Sequence, residues 1–292
     1  MNNILQLIRP YQWIKNTFVF LPVFFGGALT QVESLLGSLS AFFAYCFAAS
    51  AIYCYNDIHD VEDDRRHSEK CHRPIASGAV SIAKGYFIMA VMILLSVLAV
   101  LSAGERSLQL GAVITVYFVL DIAYCLMLKR FAVVDVCVLS FGFVLRILAG
   151  SAATGVVASH WLVLMTFLLA LLLSFAKRRD DVVKMMTTGE APRHNTKRYN
   201  MTFVNQAITV TASVTLVCYI MYTISPEVTS RTNFGYGYLT TVFVILGLLR
   251  YMQLTSVDNK SGDPTKLLYS DRFLQAVIAL WLLSYVLMIY VV

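Results

Sequence analysis

Apolar runs of about twenty residues recur along this chain, and they restrict its fold more than any other feature. A run of that length crosses the ~30 Å hydrocarbon core of a bilayer as one α-helix, which satisfies its own backbone hydrogen bonds. Of the 292 residues, 58% are hydrophobic and 14% charged, against roughly 25% charged in soluble domains. The composition predicts an all-α integral membrane protein folded as one helical domain. The runs place about nine spans, near residues 17–31, 36–55, 84–103, 108–128, 133–154, 160–176, 203–224, 238–255 and 273–292. Arg9, Trp13 and Lys15 form a basic and aromatic lead-in before the first of them.

Charge placement predicts the orientation. With a cytoplasmic N-terminus and alternating spans, all but three of the 23 Lys and Arg residues fall in cytoplasmic segments or at adjoining span ends. Arg106 and Arg231 fall outside, and Arg146 lies within a span. That asymmetry is the positive-inside pattern and puts the C-terminus outside. The net charge of +6 is explained by these loops rather than by nucleic acid. The six cysteines show no metal-type or disulfide spacing.

The most charge-dense stretch is Asn56–Gly78, directly after the second run. Asn56, Asp60 and Asp64 recur at every fourth residue, with Asp57 beside the first. On a helix this spacing stacks oxygen ligands along one face, a donor set suited to Mg²⁺ held together with substrate phosphates. Behind it stand Arg65, His67, Lys70 and Arg73, of which Arg and Lys suit phosphate, and then a Pro74–Gly78 turn.

Other polar groups stand out against the apolar background. Lys177-Arg178-Arg179-Asp180-Asp181, at a span end, suggests a phosphate site with acidic partners, although such residues also anchor spans at the interface. Asp121, Tyr124, Lys129, Asp135 and Arg146 lie in or beside spans, where ionisable groups face the bundle interior and mark sites. Gly262-Asp263-Pro264-Thr265 with Asp271 and Arg272 reads as a capped turn into the last helix. No nucleotide-binding glycine loop, GxSxG or HExxH is present.

With its NDxxDxxxDRxHxxKxxRPIASG run from Asn56 to Gly78, the chain resembles the UbiA superfamily of intramembrane prenyltransferases. Within that superfamily it is most similar to the branch that moves phosphoribosyl groups onto polyprenyl phosphates. The supporting features are Arg9-Pro10-x-Gln12-Trp13-x-Lys15-Asn16, Tyr124 and Lys129 followed by Asp135, Gly142–Gly150, and Lys177-Arg178-Arg179. Two departures are visible. Ser68 stands where the branch often has proline, and Lys177–Asp181 occupies the place of the superfamily's second Asp-rich motif. The two anionic substrates that the resemblance implies would account for the extra basic residues.

The resemblance implies a Mg²⁺-dependent transfer from phosphoribosyl diphosphate to a polyprenyl phosphate at the cytoplasmic face of the cell's inner membrane. Diphosphate is released, and the product feeds cell-envelope glycan precursors. Asn56, Asp60 and Asp64 are the expected metal ligands. Asp57, Asp60, Asp64, Lys70, Arg73 and Arg146 are the expected catalytic set. Lys15, Asn16, Arg65, His67, Tyr124, Lys129, Asp135, Lys177, Arg178, Arg179 and Asp181 are the expected substrate contacts. The alternatives are prenyl transfer from a prenyl diphosphate to an aromatic acceptor and, in another class, transport. Oligomeric state stays open, a homo-oligomer included.

Overall fold

The computed structural model describes residues 3–66, 70–229, 236–259, 267 and 270–291, and every regular element among them is helical. Helix α1 (Asn3–Ile8) leads into a 3-10 segment (Pro10–Phe20) and α2 (Leu21–Phe25). Then come α3 (Val32–His59), α4 (Val61–Arg66), α5 (Ile82–Leu101), α6 (Ser107–Leu126), α7 (Val134–Thr154) and α8 (His160–Thr188). They are followed by α9 (Met201–Thr223), the short α10 (Pro226–Thr229), α11 (Thr241–Ser256) and α12 (Arg272–Val286). Among the described residues, eight helices are long and apolar enough to cross a membrane: α3, α5 to α9, α11 and α12. All six cysteines are free thiols.

The stretch expected as the first span, residues 17–31, takes a different form. Pro10–Phe20 winds as 11 residues of 3-10 helix and continues into the five residues of α2. At about 2.0 Å per 3-10 residue and 1.5 Å per α residue, these 16 residues laid end to end extend ~30 Å, the reach of a normal span. The reason for the tight winding lies in α3. Trp13 Nε1 donates to Ser50 Oγ (3.1 Å), Asn16 Nδ2 donates to Cys46 Sγ (3.2 Å), and Val19 enters the buried cluster of Ala41 and Tyr45. Three 3-10 residues advance about 6 Å, as do four α residues. The row Trp13, Asn16, Val19 therefore stays in register with α3, running antiparallel to it. In an α-helix the same three-residue row would advance only about 4.5 Å per step.

The chain packs as two compact units, Met1–Leu126 with Leu145–Ala158, and Met127–Val144 with Ser159–Val292. In the first, α3 is the central helix. Its small residues Ala41, Ala44, Ala48, Ser50 and Ala51 are all buried, which lets neighbouring backbones come close. Ser96 Oγ on α5 donates to the Ala44 carbonyl (2.8 Å). Gly150, in the part of α7 that belongs to this unit, sits where a Cβ would collide with the Val19 carbonyl oxygen. In the second unit, Val136, Leu172, Phe175, Val204, Ile208 and Leu254 form the core. A hydroxyl cluster supplements it, with Trp281 Nε1 donating to Tyr219 Oη (2.8 Å) and Tyr219 bonded to Thr240 Oγ1 (2.6 Å).

Helices α3 and α8 have 28 and 29 residues, or ~42 Å, about two turns more than a hydrocarbon core needs. In each the polar residues lie at the C-terminal end, Asn56–His59 in α3 and Lys177–Thr188 in α8. Length alone thus sets the two polar motifs at the edge of the apolar zone.

Gly150→Ala is expected to lower the unfolding temperature of the detergent-solubilised protein, by the ~1–3 kcal/mol of an overpacked contact. Gly111→Ala on α6, where a Cβ meets only Val100 Cγ1 at 3.4 Å, should be neutral or stabilising because alanine is the better helix former.

Candidate active site

The acidic motif begins in the last turn of α3 and crosses a break into α4. Asp60 caps α3, yet helical bonding continues through it. The Asp60 amide donates to the Asn56 carbonyl (2.9 Å), and the Asp64 amide donates to that of Asp60 (2.8 Å). Asn56, Asp60 and Asp64 therefore remain one turn apart, as their spacing predicts. Asp57 and Asp64, two turns apart, are the buried pair, at 1% and 2% exposure.

Buried carboxylates need compensation, and two arginines supply it. Arg73 Nη1 donates to Asp57 Oδ1 (3.2 Å) and Asp64 Oδ2 (2.7 Å), bridging the pair. Arg9 Nη2 donates to the same Asp57 Oδ1 (2.5 Å), with its guanidinium 4.9 Å from the centre of the Tyr53 ring. Arg9 stands in the left-handed region (φ 50°) just before the 3-10 segment, an uncommon conformation outside glycine. Asp57 Oδ2 is buried with no hydrogen-bond partner. The Pro74–Gly78 turn fixes Arg73 from the other side. Val80 N donates to Pro74 O (2.8 Å), and Ile75 joins Ile58 and Val61 in a buried cluster.

Other members of the motif make further contacts. Asp60 Oδ1 lies 2.8 Å from His59 Nδ1, and the Asn56 amide oxygen accepts from Cys125 Sγ at 3.3 Å. Arg65 reaches Glu62 (3.0 Å) and the Ala76 carbonyl (3.3 Å), away from the buried pair. Lys70 is half-buried. His67 and Gly262–Thr265 lie outside the described residues. Among the described residues no three His, Cys, Asp or Glu side chains converge as a metal cage.

A second polar group lies deeper in the same unit. Arg146 is buried, and its Nε donates to Asn16 Oδ1 (2.8 Å). Its guanidinium lies 4.8 Å from the Tyr45 ring centre and 5.4 Å from that of Tyr117. Asp121 accepts a hydrogen bond from Tyr117 and lies within the field of Arg146. Arg146 thus fastens the 3-10 segment through Asn16, two turns and a residue beyond Arg9. Lys15 and Tyr124 in this unit are half-buried.

The second unit repeats the arginine-between-aspartates arrangement in sealed form. Arg178, 1% exposed, donates Nε to Asp135 Oδ2 and Nη1 to Asp181 Oδ2, each at 2.7 Å. Arg193 Nε also reaches Asp181 Oδ2 (3.1 Å). Tyr199 donates to Asp135 Oδ1 (2.8 Å) and accepts from the Val133 amide (2.6 Å). Val133 has φ 68°, a costly conformation for a β-branched residue. Burial pushes the Tyr199 hydroxyl up from its ordinary range, so it stays a protonated donor. Arg179 donates to the Thr255 and Ser256 carbonyls (2.7 and 3.2 Å) and to Asn205 and Asn259 (3.1 and 2.9 Å), capping the C-terminus of α11.

The Lys177–Arg179 run, expected as one phosphate-gripping cluster, is therefore divided. Arg178 and Arg179 bind within the protein, while Lys177 is exposed and Lys129 half-buried. Asp271, expected as part of a capped turn, accepts from Leu274 N (2.8 Å) at the start of α12 and pairs with Arg250 (2.6 Å).

The UbiA prenyltransferase family matches residues 19–277, and the chain belongs to that family. It is thus a multi-pass membrane transferase of the UbiA type. It is 30% identical to the decaprenyl-phosphate phosphoribosyltransferase of Corynebacterium glutamicum, over 99% of this chain and 87% of the relative. It is 32% identical to the protein of the same name from Mycobacterium tuberculosis, over 96% of this chain and 91% of the relative. Its fold superimposes on a UbiA homolog from Archaeoglobus fulgidus bound to GPP and Mg²⁺, with a TM-score of 0.70, 17% identity and coverage of 99% and 100% of the two chains.

Tyr199→Phe removes both the donor to Asp135 and the acceptor for the Val133 amide, and is expected to cost ~1–3 kcal/mol of stability. Val133→Gly in that background should recover part of the loss, since glycine adopts φ 68° without strain. Thermal unfolding of the single and double variants checks this. A double variant no more stable than Tyr199→Phe alone would contradict it.

Proposed function

We propose that this protein transfers the 5-phosphoribosyl group from phosphoribosyl diphosphate to a polyprenyl phosphate, releasing diphosphate. The proposed site is the cytoplasmic face of the inner membrane, and the product serves cell-envelope glycan synthesis. The observation that carries this reading is the near full-length similarity to relatives of that name. The distribution of charge agrees with it. One end of α3 combines carboxylates with arginines, and the run Lys177–Asp181 stands where a second acidic motif is expected.

Asn56, Asp57, Asp60 and Asp64 fit a Mg²⁺ ion. They are hard oxygen donors within about two helical turns, and Asp57 Oδ2 is buried without a partner. Mg²⁺ held there would neutralise charge on the donor's diphosphate. Arg73 and Lys70 offer donors to the same group as it leaves, where fixed positive charge lowers the barrier most. Arg65 acts at one remove, by holding the Ala76 turn that positions Arg73. Arg146 is likewise a positioning residue, acting through Asn16. Lys129 and Lys177 are the cations assigned to the acceptor phosphate. In the transfer, an acceptor phosphate oxygen forms a bond to the anomeric carbon as the bond to diphosphate breaks, and diphosphate departs with the electron pair. Attack from the opposite face inverts that carbon. A phosphate monoester is already anionic at neutral pH, so the step needs no general base.

Purified enzyme given phosphoribosyl diphosphate labelled in the sugar, together with polyprenyl phosphates, should place label in the lipid fraction. Asp60→Asn and Asp64→Asn should each reduce the rate by about 100-fold or more. Absence of lipid label, with transfer from a labelled prenyl diphosphate instead, would overturn the assignment in favour of prenyl transfer.

A further inference from the structure

The charge balance at the end of α3 has a consequence for how a cation enters. Two buried carboxylates, Asp57 and Asp64, face two guanidinium groups, Arg9 and Arg73. The charges of these four groups cancel, which leaves Asp60 as the motif's further carboxylate. A divalent cation added alone would bring two further positive charges against two fixed ones, and like charges this close repel strongly in a part-buried site. Yet the group is not closed. Asp57 Oδ2 lacks any hydrogen-bond partner, a state that costs free energy and invites a cation. The arginine side chains are also less buried than the acids they hold, at 17% and 24% exposure against 1% and 3%. They can swing outward while the carboxylates cannot.

We propose that Arg9 and Arg73 stand in for the cation in the resting enzyme. The acidic motif then takes up a divalent ion only together with a diphosphate, whose negative charge draws the two guanidinium groups off the carboxylates. Arg9 thereby becomes a substrate-binding residue that changes partners, from Asp57 to diphosphate oxygen. Its left-handed backbone at the entry to the 3-10 segment aims the side chain at this place. Asn16, seven residues on, anchors the segment to Arg146, so the exchange needs side-chain motion only. This inference rests on the reading of the site as a Mg²⁺–diphosphate site, but not on which organic group is transferred.

The test uses the full-length protein in detergent, with Mn²⁺ as the spectroscopic probe and inorganic pyrophosphate as the anion. Equilibrium dialysis with EPR reads bound Mn²⁺, and labelled pyrophosphate reads bound anion. The wild type is expected to bind Mn²⁺ about tenfold or more tightly when pyrophosphate is bound than when it is absent. Arg9→Gln removes one stand-in charge. It is expected to tighten binding of Mn²⁺ alone by about tenfold while weakening pyrophosphate. Arg9→Lys keeps the charge and should leave Mn²⁺ binding near the wild-type value, and the thermal unfolding of both variants confirms that they are folded. Equal Mn²⁺ affinity with and without pyrophosphate would overturn the proposal. So would an Arg9→Gln variant whose affinity for Mn²⁺ alone is unchanged or weaker. Because neither arm contains a sugar or a prenyl group, these outcomes are separate from the lipid-labelling result.

Discussion

The guanidinium of Arg73 between Asp57 and Asp64 is the interaction on which the first unit depends. Two carboxylates at 1% and 2% exposure, at the end of a membrane helix, would each cost several kcal/mol if unpaired. Arg73 meets both, and Arg9 adds a second charge at Asp57. Local structure follows from that need. The Pro74–Gly78 turn tucks Ile75 into the cluster with Ile58 and returns the chain so that Arg73 faces back to α3. The 3-10 segment lies along the small residues of α3 in matching register and delivers Arg9 to the same carboxylate. Arg146, through Asn16, holds the far end of that segment.

The second unit solves the same electrostatic problem differently. Arg178 also lies between two aspartates, but at 1% exposure, with Tyr199 closing the remaining oxygen of Asp135 and Arg193 sharing Asp181 Oδ2 with Arg178. That network joins the start of α7, the end of α8 and the segment leading to α9. In the first unit an oxygen is left unpaired and the arginines are part-exposed. In general a fully satisfied ion pair resists exchange, while an incompletely satisfied one is open to a ligand.

Much of this was legible in the sequence. Apolar run length locates the eight long helices, because in a bilayer hydrophobicity and helix length are tied to one thickness. The four-residue spacing of Asn56, Asp60 and Asp64 survives the break after α3. Less visible was the 3-10 segment, whose signal was a three-residue spacing, Trp13, Asn16, Val19, within a run that otherwise looks like an ordinary span. Arg9 reads from the sequence as an interfacial anchor, and its partner lies 48 residues away. Arg146 stands out correctly as a buried charge, but Asn16 is 130 residues distant. Arg178 and Arg179 look alike in the sequence, yet one clasps two carboxylates and the other caps a helix. Periodicity assigns residues to faces, and partners across the fold are set by packing that local pattern does not encode.

The central claim, that the Arg73 bridge organises this end of α3, is tested most directly by a double-mutant cycle on Asp64 and Arg73. Unfolding free energies would be measured for the wild type, Asp64→Asn, Arg73→Gln and the double variant. The account predicts non-additivity, with the double variant less destabilised than the sum of the singles by more than about 1 kcal/mol, since each single change strands a buried charge. Effects that add to within about 0.5 kcal/mol would contradict it.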